Sequence, residues 1–87
     1  MSEKVTIRLT ENSEILDALR DKQILQRDAE GKEFYSRYFD SLEIRFYPGI
    51  PLFLNRTVAE ALRQSSEVSV GPYIGSWLTN ALEIVSE

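Results

Sequence analysis

The spacing of hydrophobic and polar positions changes along this chain, and each change predicts an element. In "KVTIRLT", Val5, Ile7 and Leu9 alternate with Thr6, Arg8 and Thr10. Successive side chains of a strand point to opposite faces, so a period of two predicts a half-buried strand. In "TENSEILDALRDKQ" the apolar residues Ile15, Leu16, Ala18 and Leu19 recur instead at helical spacing. Thr10 or Asn12 can accept from the free amides of a first turn. Glu11, Glu14 and Asp17 come early, and Arg20 and Lys22 come late, which suits a helix dipole. A helix is predicted over about residues 12–22.

"ILQRDAEGKEFYSRY" reads as a hairpin with strands over about residues 23–28 and 33–39. "DAEG" is its turn, with Gly31 free to take a positive φ. Phe34, Tyr35, Tyr38 and Phe39 also match helical spacing, and the β-propensity of aromatic residues decides for strand. "LEIRFY" alternates again, with Leu42, Ile44 and Phe46 on one face and Glu43, Arg45 and Tyr47 on the other. "YPGIPLFLN" breaks the pattern. Pro48-Gly49 suits the middle of a type II turn, and Pro51 keeps Ile50 extended.

"TVAEALRQ" predicts a second helix opened by a capping box between Thr57 and Glu60, and "SSEVS" ends it. Pro72 in "GPYIG" suits a first helical turn. Ile74, Trp77, Leu78, Ala81, Leu82 and Val85 then form a continuous apolar stripe, which predicts a third helix. Gly71, Gly75 and Thr79 would form a small face beside it. The predicted order is β-α-β-β-β-α-α. It implies one α+β domain over residues 1–87, a mainly antiparallel sheet of about three to four strands with three helices on one face.

Composition narrows function by exclusion. The chain has 87 residues, 43% hydrophobic and 28% charged, which is too apolar for a disordered chain and ordinary for one folded domain. It has no cysteine, so disulfide and thiolate chemistry are excluded. It has no histidine, which removes the usual general base near neutral pH and the commonest transition-metal ligand. The remaining Asp, Glu, Lys, Ser and Tyr form no arrangement that points to catalysis, a metal or a cofactor. Asp17, Asp21, Asp28 and Asp40 lack calcium-loop spacing, and "DAEGK" is not a phosphate loop.

The polar N-terminus does not read as a signal peptide, and no stretch reaches the ~18 apolar residues of a membrane span. A cytoplasmic location is expected. The net charge is −4, and no segment is a basic patch, which disfavours nucleic acid and anionic membranes.

Seven of the nine aromatic residues lie between Glu33 and Phe53. On a sheet beside Arg37 and Arg45 they could stack bases. The interleaved glycine and basic residues of such platforms are missing, so this cluster is expected to be mainly core. The tyrosines are the exception, since each can keep a wet hydroxyl edge at a surface. The stiff loop offers Tyr47, Ile50 and Phe53 to a partner at low entropy cost. The last predicted helix offers Tyr73 and Trp77, and tryptophan is the type of residue that anchors interfaces.

The opening "EKVTIRLTENSEILDALRDK" resembles that of ribbon-helix-helix repressors, a polar-apolar strand followed by an acidic-capped helix. The resemblance covers about a quarter of the chain. It implies a dimer whose paired strands enter the DNA major groove, with Lys4, Thr6, Arg8 and Thr10 facing the bases. The second helix of that family should follow almost at once, and "ILQRDAEGKEFY" stands in its place.

The sequence therefore points first to a noncatalytic module that binds a protein partner in a regulatory or adaptor role, with homodimerisation left open. A dimeric DNA-binding regulator is the alternative.

Overall fold

The computed structural model describes residues 3–71 and 77–86. Its elements run β1 (Lys4–Leu9), α1 (Ser13–Asp21), β2 (Gln26–Arg27), β3 (Glu33–Phe39), β4 (Leu42–Phe46), β5 (Leu52–Asn55), α2 (Arg56–Gln64), β6 (Glu67–Val70), β7 (Trp77–Asn80) and β8 (Leu82–Ser86). The strands form three antiparallel sheets, ordered β5-β1-β8, β2-β3-β4 and β6-β7. The α+β character stands. The single sheet with three helices does not, because the described residues hold eight strands and two helices.

The N-terminal elements follow local rules. Val5, Ile7 and Leu9 of β1 are buried as their alternation requires. Asn12 caps α1, its side-chain oxygen accepting from the amides of Glu14 at 2.9 Å and Ile15 at 3.3 Å. Thr10, the other candidate cap, is fully buried and instead accepts from the Asn12 amide. At the far end Gln23 takes φ +59°, with Gln23 N–H bonded to Arg20 and Ile24 N–H to Leu19. That is a complete Schellman closure without its usual glycine. It turns the chain into the β2–β3 hairpin, whose pairs are Gln26 with Phe34 and Arg27 with Glu33.

β3 and β4 pair from Tyr35–Phe46 to Phe39–Leu42 through a two-residue turn. Asp40 and Ser41 both have positive φ, 52° and 69°, which makes it type I′ and matches the right-handed strand twist.

The remainder departs from the expected pattern. "LFLN" is not loop but β5, paired with β1 from Lys4–Asn55 to Ile7–Leu52. The cap of α2 is Asn55, which accepts from the Thr57 amide at 2.8 Å, so the predicted capping box at Thr57 is replaced by a cap two residues earlier. The predicted third helix is absent. Trp77–Asn80 pair with Glu67–Val70, and Leu82–Ser86 pair with β1. The stripe fails as a helical face because its members part company: Ala81 and Leu82 are buried, while Leu78 is 65% exposed. Long-range pairing overrides the helical period. Ala81 marks the crossing between sheets, its N–H bonded to Ser66 and its carbonyl accepting from Thr10 N–H. Tyr73, Ile74 and the start of that predicted helix lie outside the described residues.

The core draws on every sheet and both helices, with Ile7, Leu9, Leu19, Phe46, Leu62 and Leu82 among its fully buried members. α2 touches β8, β1, β5 and β3, and so bridges the two three-stranded sheets. Burying a side chain of this size stabilises by about 1.5–3 kcal/mol. Among the described residues no helix is long and apolar enough to cross a membrane.

Candidate interaction surface

The turn that follows β4 is the best-organised exposed feature among the predicted site residues. Gly49 takes φ +81°, and Ile50 N–H donates to the Tyr47 carbonyl at 3.1 Å. This is the type II turn expected of Pro48-Gly49. A side chain at position 49 would meet no neighbour, so backbone conformation alone demands glycine there.

Tyr47 fastens the turn to the rest of the sheet. Its ring lies 5.7 Å from that of Phe34, tilted by 45°, and its hydroxyl donates to Asp28 Oδ2 at 2.9 Å. The Arg45 guanidinium covers the other part of Phe34 at 4.2 Å from the ring centroid. Phe34 is thereby buried on the outer face of β3, apart from the main core.

Asp28 links two turns at once. Its Oδ1 accepts from the amides of Glu30 and Lys32, each at 2.9 Å, and organises the "DAEG" turn. Gly31 there has φ +81°. The Lys32 amide, the Tyr47 hydroxyl and the Glu30 amide favour the ionised form and hold the Asp28 carboxyl below its ordinary value. Arg20 lowers Glu33 likewise, through paired contacts of 3.0 and 2.9 Å at the mouth of the hairpin.

Between the two turns lies an open cleft of about 470 Å³, lined by Arg27, Lys32, Glu33, Tyr47, Pro48 and Ile50. A recess of about 150 Å³ adjoins it, where Asp28 and Glu30 join Lys32, Tyr47 and Ile50. The walls are apolar on the Pro48–Ile50 side and of mixed charge on the other. Such a cleft can grip an apolar side chain and align a polar backbone beside it.

The sequence-predicted residues are thus distributed. Tyr47 and Ile50 line one cleft. Phe53 stands on β5 opposite Thr6, 71% exposed. Trp77 stands on β7 opposite Val70, 48% exposed, on a strand rather than a helix. Tyr73 lies outside the described residues. Asp28 lacks calcium-loop spacing in the sequence and for that reason is not among the predicted site residues. Its signal was its place at the head of a glycine turn, where Asp side chains bond the backbone two residues on.

The aromatic cluster divides as well. Phe34, Tyr35 and Phe46 are buried, Tyr47 and Phe39 are half-buried, and Tyr38 is 65% exposed.

On β1, Lys4 is exposed but Thr6 and Thr10 are buried. Arg8 Nε meets Glu83 at 3.3 Å and its NH1 meets Glu11 at 3.3 Å. The Thr10 hydroxyl donates to Glu83 at 3.0 Å. β5 pairs along one edge of β1 and β8 along the other.

Comparison with protein-family models, curated proteins and solved structures finds no match to this chain.

Proposed function

We propose that this protein is a noncatalytic module that binds a protein partner in an adaptor or regulatory role, through Ile50 of the stiff turn together with Phe53 and Trp77. The observation that carries this reading is the exposure of these three large apolar side chains, 56%, 71% and 48% respectively. Water contact at such groups is unfavourable, and a partner that covers them gains the apolar burial. The turn beneath Ile50 is already fixed by Pro48, Gly49 and the Tyr47–Asp28 bond, so binding orders little more of it. A DNA-reading ribbon gains no such support, because β1 is paired along both edges and Arg8 is engaged by carboxylates.

The test is affinity capture from the native host with the wild-type chain and with Ile50→Asp, Phe53→Asp and Trp77→Ala as baits, after nuclease treatment. Mass spectrometry should find one stoichiometric partner on the wild type and lose it on the variants, each with native circular dichroism. A partner retained by all three folded variants overturns this surface. Nucleic acid in the wild-type eluate, with proteins lost after nuclease, overturns the adaptor reading itself.

A further inference from the structure

We propose that two copies of this chain join edge to edge through β4, in an antiparallel pair centred on Ile44, to continue the β2-β3-β4 sheet across a twofold axis.

β4 ends its sheet, and among the described residues its backbone pairs only with β3. The type I′ turn at Asp40–Ser41 closes on the Phe39–Leu42 pair, so the N–H and C=O of Leu42 face β3. Backbone direction alternates along a strand. Ile44 and Phe46 therefore also face β3, and the backbone groups of Glu43 and Arg45 face outward.

A second β4 can use those groups in a register that sets Glu43 opposite Arg45 of the other copy, and Arg45 opposite its Glu43. Each pair then exchanges both of its N–H···O bonds, and each places opposite charges across the strands. Sliding by two residues either way sets Glu43 against Glu43 or Arg45 against Arg45, which is repulsive. Charge and hydrogen-bond direction thus select the same register. Among the described edge strands only β4 carries both signs. β5 and β7 carry no charge, β2 has only Arg27, β6 only Glu67 and β8 only Glu83.

The side chains are already disposed for it. Glu43 Oε2 receives Ser36 Oγ at 2.6 Å and Arg45 Nε at 3.3 Å, which leaves Oε1 for the second guanidinium. On the opposite face Leu42 is 66% exposed and Ile44 half-buried. In the pair they form one apolar strip with their counterparts, and this strip gives the edge a reason to close. A charged edge strand can also serve to block pairing. That role favours like charges or lysine, whereas Glu43 and Arg45 cancel in the self-pair.

The proposal does not rest on the partner-binding reading. It uses none of Ile50, Phe53 or Trp77, and its test contains this chain alone. Sedimentation velocity from micromolar to millimolar concentration should show a monomer–dimer equilibrium. Over the same range the Glu43 and Arg45 amides should gain protection from hydrogen exchange, while the Ile44 amide, already bonded to β3, should not change. Glu43→Arg and Arg45→Glu should each weaken the dimer by about tenfold or more. Mixed in equal amounts, the two variants should associate with one another, because each then supplies the charges that the other lacks. A wild type monomeric throughout, or a dimer in which the Glu43 and Arg45 amides stay unprotected, overturns the proposal. So does a dimer indifferent to both charge reversals.

Discussion

β1 and β4 are short alternating strands, each with an arginine among its polar positions, and they are held in opposite ways. β1 has β5 on one side, β8 on the other, and Val5, Ile7 and Leu9 in the core. Its arginine is spent inside the molecule on Glu83 and Glu11. β4 pairs on one side only, and of its apolar residues Phe46 is buried, Ile44 half-buried and Leu42 exposed. Its arginine lies over Phe34 beside a network that runs through Tyr47 to Asp28. One strand is fastened by apolar burial and the other partly by polar contacts on an outer face. Alternation tells which residues share a face. It does not tell whether an edge is occupied.

The largest expected effect tests that contrast directly. Ile7→Ala should lower unfolding free energy by about 2–5 kcal/mol, because a fully buried side chain leaves a cavity that cannot relax. Ile44→Ala should lower it by about 1 kcal/mol, since that site is already half open. Urea denaturation measures both, and equal losses would break the comparison.

Next in size is Tyr47→Phe. It keeps the ring on Phe34 and removes the hydroxyl's contacts with Asp28 and Arg45, so Tm should fall by about 4–8 °C. An unchanged Tm would mean that packing alone holds the turn after β4.

The smallest expected effect is on pH dependence. Asp28 and Glu33 have carboxyls held below their ordinary values in the folded state. Their stabilisation is complete above the unfolded carboxylate range and is lost as pH falls through the lower native values. The wild type should loosen progressively below about pH 4, and Asp28→Asn should do so less steeply. Amide exchange at Glu30 and Lys32 reports it, and identical acid profiles would remove Asp28 from the account. None of these acid effects should reach Thr6 or Ile7 on β1 before global unfolding.

Sequence alone determined the elements whose causes are local. β1, α1 with Asn12 among its two candidate caps, β3, β4 and the Pro48-Gly49 turn were legible, because alternation, short polar caps and glycine or proline dihedrals act within a few residues. The strand expected over 23–28 shrinks to Gln26–Arg27, since Gln23 and Ile24 close α1. For the site, Tyr47, Ile50, Phe53 and Trp77 could be singled out as candidates. That Tyr47 and Ile50 share a cleft with Asp28 could not, since Asp28 lies nineteen residues from Tyr47. Only the tertiary structure decided the C-terminal third. Trp77–Val85 carries a helical period, but Leu82–Ser86 finds β1 more than seventy residues away, and Trp77–Asn80 finds β6. The paired backbone and the burial of Ala81 and Leu82 outweigh a local propensity worth a few tenths of a kcal/mol per residue. A pattern in the chain can name a face. Which surface covers that face depends on segments that meet only when the chain has folded.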